Sequence, residues 1–110
     1  DARLNGNKTS SVGTKAINDI RLRANASTRA ESDSYSLNDI CDEWAREFYF
    51  EGLRRTTLIR FGRFGGSNNY NWSWKGNDLA GKNFDSHLNI FPIPVSELNA
   101  NSNLKQNPGY

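Results

Sequence analysis

Pro92 and Pro94 stand one residue apart near the end of the chain, and a regular helix cannot run through them. Each ring fixes φ near about −65° and removes a backbone donor, and the residue before each is pushed toward extended geometry. Phe91-Pro92-Ile93-Pro94 therefore reads as an extended or polyproline segment, and Asn107-Pro108-Gly109 as a turn. Phe91, Ile93, Val95, Leu98 and Leu104 supply apolar anchors of a kind that a disordered tail does not need. The tail is expected to lie as a non-helical strap over other parts of the protein.

Upstream, the apolar spacing is helical. Ala16, Ile17, Ile20 and Ala24 recur at three- and four-residue steps, which predicts a helix over Lys15 to Ala24 with Thr14 as its N-cap. Asn25 to Ser34 is polar and reads as an exposed connector. Ser36 can cap a second helix, with Asp39 near the positive end of its dipole. Leu37, Ile40, Cys41, Trp44, Phe48 and Leu58 then extend the pattern to Phe61, with a bend or division at Gly52 and a stop at Gly62. Asp42 with Arg46 and Glu51 with Arg55 form (i, i+4) pairs on that face. Gly65-Gly66-Ser67-Asn68-Asn69 is loop chemistry, and Tyr70 to Tyr110 is expected to be largely irregular.

Three ordered stretches carry a family resemblance. Lys15-Ala16-Ile17-Asn18-Asp19-Ile20-Arg21-Leu22-Arg23-Ala24 comes first, then the run from Glu43-Trp44-Ala45-Arg46-Glu47 through Glu51-Gly52-Leu53-Arg54-Arg55-Thr56-Thr57-Leu58-Ile59-Arg60 to Gly62. The third is the tail, with Phe91-Pro92-Ile93-Pro94, Glu97-Leu98, Asn101, Leu104 and Gln106-Asn107-Pro108-Gly109-Tyr110. Together they resemble the SusD/RagB family of outer-membrane glycan-binding lipoproteins. Trp44 stands where the family usually has Arg, and Thr57 where it usually has Asp.

The resemblance implies a mainly α, tetratricopeptide-like α/α fold, of which residues 1–110 would be the C-terminal portion. Residues 1–62 would form the helical part, with Asp1 to Asn7 as the last turn of a preceding helix. Residues 63–110 would form a long irregular loop and an extended C-terminal strap. The resemblance further implies a non-catalytic protein that binds an oligosaccharide or other nutrient at the cell surface. It would deliver that ligand to a SusC-like TonB-dependent outer-membrane transporter. The membrane would be reached only through a lipid anchor N-terminal to this chain, and residues 1–110 themselves are expected to be soluble.

Composition excludes several other classes. A net charge of +2 from 14 basic and 12 acidic residues, without a concentrated basic run, gives no support for nucleic-acid binding. Cys41 is the single cysteine and excludes an internal disulfide; its setting suggests a small buried residue. No hydrophobic run approaches the roughly 20 residues of a membrane span. With 35% hydrophobic residues the core is modest, which the thirteen aromatic side chains partly offset.

Tyr70, Trp72 and Trp74 are the candidate glycan-binding residues. Flat aromatic faces suit the CH faces of sugar rings, and amide neighbours suit hydroxyl groups. In extended backbone these three rings would share one side. The competing reading is architectural, with the rings anchoring a long loop and the segment docking partners without ligand contacts of its own. Glu43, Glu47 and Glu51 share four-residue steps, a spacing that a retaining glycosidase could use. Arg46, Arg54 and Arg55 close by favour structural ion pairing instead. His87 is the sole histidine and reads as a loop residue. No catalytic residue, metal ligand or cofactor is assigned.

Overall fold

The computed structural model describes residues 4–66 and 70–110. The chain is mainly α-helical and divides into two compact units, Asp1–Tyr49 and Phe50–Tyr110.

The first unit opens with a hairpin. Strands β1 (Leu4–Asn5) and β2 (Lys8–Thr9) pair antiparallel, with Leu4 opposite Thr9 and Asn5 opposite Lys8. Gly6-Asn7 supplies the two-residue turn, and Gly6 takes φ +64°. The helical turn implied for Asp1 to Asn7 is thus replaced by a hairpin from Leu4 onward; residues 1–3 lie outside the described residues.

Helix α1 runs Ser11–Arg23, a turn earlier than expected. Ser10 is its N-cap, accepting from Gly13 N at 3.3 Å, and Thr14 is instead a buried helical residue. The helix ends on Asn25 at φ +53°, where Asn25 N and Ala26 N donate to Leu22 O and Arg21 O. The predicted apolar face does not form the core. Ile20 is exposed, whereas Gly13, Thr14 and Asn18 are buried.

That core is a polar network. Thr9 Oγ1 accepts from Tyr35 N at 2.8 Å and shares a 2.7 Å bond with the Thr14 hydroxyl. Thr14 donates to Asp33 O at 2.8 Å, and Tyr35 Oη donates to Asn18 Oδ1 at 2.8 Å. Among the described residues no buried side-chain polar atom lacks a partner. Full hydrogen bonding offsets the desolvation cost of burying such groups in place of apolar ones.

Helix α2 (Leu37–Glu47) starts on the expected signal. Ser36 Oγ accepts from Asp39 N, and the Asp39 carboxylate accepts from Ser36 N at 2.8 Å, a complete capping box. Cys41 is fully buried, and Trp44 packs on Phe48 one turn later with ring centroids 4.8 Å apart. The helical run divides before Gly52: Phe50 takes φ +65° and Gly52 +74°, conformations that do not continue a helix.

In the second unit, α3 (Arg54–Arg60) buries Thr57 and Leu58. Gly62, at φ +63°, stops it as expected, with Gly62 N donating to Ile59 O and Arg63 N to Leu58 O. Short 3₁₀ turns follow at Lys75–Asn77 and Ser86–Asn89. Gly65 lies against the Asp85 carbonyl so closely that an added Cβ would sit 2.5 Å from it.

The tail is not wholly extended. Helix α4 (Val95–Ala100) begins directly after Pro94, where the fixed proline φ and Glu97 in the first turn favour helix initiation. The expected apolar anchors contribute little: Phe91 and Val95 are 70% and 68% exposed. Side-chain amides hold the segment instead. Gln106 bonds both N and O of Ile93, and Asn107 Nδ2 donates to Phe91 O at 2.8 Å. The Tyr110 hydroxyl donates to Ile90 O at 2.7 Å.

Candidate glycan-binding loop and the charged face of the second helix

The first turn of α3 presents two arginines to the loop that follows. Arg54 Nη2 donates to the Tyr70 hydroxyl at 2.6 Å, and its guanidinium lies 5.5 Å from the Tyr70 ring centre and 5.8 Å from that of Trp72. Arg55 Nη2 donates to Leu88 O at 2.7 Å and stacks 3.9 Å from the Phe91 ring centre. Arg55 therefore turns to the loop, while Glu51 falls in the bend before α3 rather than on a shared helical face.

Lys75 is the centre of this loop and is 1% exposed. Its Nζ donates to Tyr70 O at 3.1 Å and Asn83 Oδ1 at 3.3 Å, and lies 5.0 Å and 5.5 Å from the Trp72 and Phe84 ring centres. Burial holds its pKa below the ordinary lysine value. The ammonium is thus solvated by two oxygens and two ring faces rather than by a carboxylate. Sequence reasoning missed this residue. The available signal was a lysine between Trp72, Trp74 and Phe84, with Gly76 permitting a turn on its C-terminal side.

The three candidate rings are not equivalent. Tyr70 and Trp72 meet edge to face, with centroids 5.9 Å apart, and both carry the Arg54 guanidinium. Trp74 has φ +68°, which breaks the extended run, and its side chain stands 64% exposed. The expected row of three rings on one side is therefore interrupted at Trp74. Asn71 Nδ2 donates to Ala80 O and Gly81 O at 3.1 and 2.9 Å, closing the loop beneath them. Trp74 is the more open of the two indoles on this braced turn, at 64% exposed against 38% for Trp72.

On α2, Glu43 Oε2 accepts from Arg21 at 2.5 Å and from Arg46 at 2.8 Å. Glu47 pairs with Arg23, and Asp39 receives both terminal nitrogens of Arg29 at 3.0–3.1 Å. Glu51, beyond the end of α2, does not share this face. Burial raises the Asp39 pKa, but bonds from Ser36 Oγ, Ser36 N and Arg29 outweigh it and hold the carboxyl below its ordinary value. His87 packs edge-on against Tyr110 at 5.0 Å. Among the described residues no group of three or more His, Cys, Asp or Glu could hold a metal ion.

The sequence matches the SusD family model over residues 1–110. The chain belongs to the SusD family. The starch-binding protein SusD of Bacteroides thetaiotaomicron is 46% identical to this SusD-family chain over 97 residues. That match covers 88% of the chain and 17% of the relative, so the chain spans less than a fifth of that protein's length. Within this family member, the two positions that depart from the usual pattern are both accommodated: Thr57 is buried in α3, and Trp44 stacks on Phe48.

Proposed function

We propose that the chain is part of a non-catalytic, cell-surface glycan-binding protein and that Trp74 is the sugar-stacking residue it contributes. The observation that carries this reading is its 46% identity to a starch-binding protein. The loop geometry supports the assignment within it: Trp74 is open, whereas Trp72 is engaged by Arg54 and Lys75. In this reading Tyr70 and Trp72 brace the loop. Glu43, Arg46 and Glu47 tie helices through ion pairs, and Arg54 and Arg55 tie α3 to the loop. Residues 1–110 then form the C-terminal portion of a lipid-anchored outer-membrane protein that passes its oligosaccharide to a SusC-like TonB-dependent transporter.

Soluble starch and a panel of other glycans, tested by affinity electrophoresis with the full chain, check the assignment. Trp74→Ala is expected to weaken retention at least tenfold without lowering the melting temperature, and Trp72→Ala to lower the melting temperature. Undiminished retention by Trp74→Ala would overturn the stacking role. It would favour the architectural reading, for which the cations on Trp72 already speak. Release of reducing sugar from any member of the panel would overturn the non-catalytic reading, as would its loss in Glu47→Gln.

A further inference from the structure

The backbone holds both ends of the loop after Lys75 close together. Lys82 N donates to Lys75 O at 2.7 Å, and Gly76 lies so near Lys82 that an added Cβ would sit 3.0 Å from its carbonyl oxygen. On the other side, a Cβ on Gly81 would sit 2.4 Å from Trp72 O. Lys75 and Asn83, eight positions apart, meet inside this fixed turn, where Nζ donates to Asn83 Oδ1 at 3.3 Å. The carboxamide carbon is one C=O bond, about 1.2 Å, beyond that oxygen, so it lies within about 4.5 Å of Nζ. Attack needs about 3–3.5 Å, a shift of no more than roughly 1.5 Å that a lysine stem makes by small torsions.

The amine stands in a setting that favours its neutral, nucleophilic form. Lys75 is 1% exposed, its Nζ faces the Trp72 and Phe84 rings, and among the described residues no carboxylate pairs with it. An ammonium held this way carries a desolvation cost that no counter-charge offsets, and burial accordingly keeps its pKa below the ordinary value. Desolvation in an apolar pocket is one of the ways in which lysine becomes a nucleophile. Conversion of the amine to an amide removes the charge altogether. The Tyr70 carbonyl, which accepts from Nζ at 3.1 Å, keeps the side chain turned inward.

We propose that Lys75 and Asn83 form an intramolecular isopeptide bond in the folded chain, closing a covalent ring around the turn that carries Gly76 and Gly81. The Lys75 ammonium first gives a proton to solvent. Its Nζ lone pair then forms a bond to Asn83 Cγ, and the C=O π pair moves onto Oδ1. One Nζ proton passes to Nδ2, the Cγ–Nδ2 bond breaks, and the carbonyl re-forms. Ammonia leaves and takes up a proton, so a lysine ammonium and a carboxamide become a secondary amide and an ammonium ion. No carboxylate stands beside Nζ to carry the proton between the nitrogens. Water at the half-buried Asn83 serves instead, and the bond forms over days rather than during folding.

The test is incubation of the full chain at neutral pH and at pH of about 10, where lysine loses its proton, followed by intact mass and tryptic digestion. The expected product is lighter by one ammonia. Trypsin should then fail at Lys75 and release one branched species, the peptide Phe64–Lys82 joined to Asn83–Lys105, accumulating at least tenfold faster at the higher pH. An asparagine succinimide shows the same mass loss but leaves Lys75 cleavable, so the branched species is the deciding product. Lys75→Arg and Asn83→Ala should each abolish it, with thermal melts to show that both still fold. The parent chain is informative without either variant: complete cleavage at Lys75 after alkaline incubation overturns the proposal. So does a branched product formed equally fast in denaturant, which would owe nothing to the fold. A branched product that persists in Asn83→Ala overturns the pairing.

Discussion

The side-chain amide of Gln106 pairs with the backbone of Ile93 as a neighbouring strand would. Its Oε1 accepts from Ile93 N at 2.8 Å, and its Nε2 donates to Ile93 O at 2.9 Å. Two other amides do the same: Asn18 with both backbone groups of Arg29, and Asn89 with both of Gly65. Long loops with few buried apolar residues are thus tied to their neighbours at single points, each satisfying one donor and one acceptor.

Gln106→Glu keeps the size and an acceptor but removes the donor to Ile93 O and sets a carboxylate against that carbonyl. Destabilisation of the tail by about 1–3 kcal/mol is expected. Hydrogen exchange at the Ile93 amide is the readout, and a rate equal to that of the parent chain would show that the contact contributes nothing.

Lys75 gives stability a rising alkaline limb. Its folded-state pKa lies below the unfolded value, so below the folded value the buried ammonium carries its full desolvation cost. As pH climbs from the folded value toward about 10.4, the folded state loses its proton first and stability increases. Denaturant melts across that range should show the rise in the parent chain and lose it in Lys75→Met. A parent chain whose stability is flat or falling over the same window, relative to Lys75→Met, would refute the account.

Asp39 acts in the opposite window. Its folded-state pKa is depressed, so its contribution is complete above the unfolded value of about 3.9 and is lost as pH falls through the lower folded value. Asp39→Ala should cost about 1 kcal/mol at neutral pH through loss of its half of the capping box. In acid titrations the gap between the two chains should narrow as pH falls through the depressed folded-state value; a gap that stays constant through the acid limb would exclude the linkage.

Glu43 and Glu47 should differ although both are paired. The Glu43 side chain is 12% exposed and serves two arginines, one of them Arg21 at 19% exposure. Glu43→Ala leaves the half-buried Arg21 without its carboxylate, at a cost of about 1–3 kcal/mol. The Arg23 partner of Glu47 is 67% exposed, and Glu47→Gln should cost less than about 1 kcal/mol. Equal losses in the two variants would refute this ranking.

The helices were legible because their signals are local. Ser36 with Asp39 starts α2, and Gly62 stops α3, each through bonds that a few neighbouring residues determine. The core of the first unit was not legible, because Thr9, Thr14, Asn18 and Tyr35 look like surface residues and become interior only through partners up to 26 positions away. Apolar periodicity pointed to Ile20, which is exposed. In the candidate site the aromatic cluster was visible as residues. Its inversion at Trp74 was not, since neither indole announces a left-handed backbone. Helix α4 was missed because prolines that exclude helix before them favour it just after.

The three amide pairings have a consequence for how this protein ages. Hydrolysis of Asn18, Asn89 or Gln106 to the acid changes almost nothing in volume, yet it replaces a donor with an anionic oxygen facing Arg29 O, Gly65 O or Ile93 O. A stored sample would therefore acquire discrete subpopulations, each with one loop released and the helices intact. Neither salt nor a return to neutral pH would restore them, because the lesion is covalent.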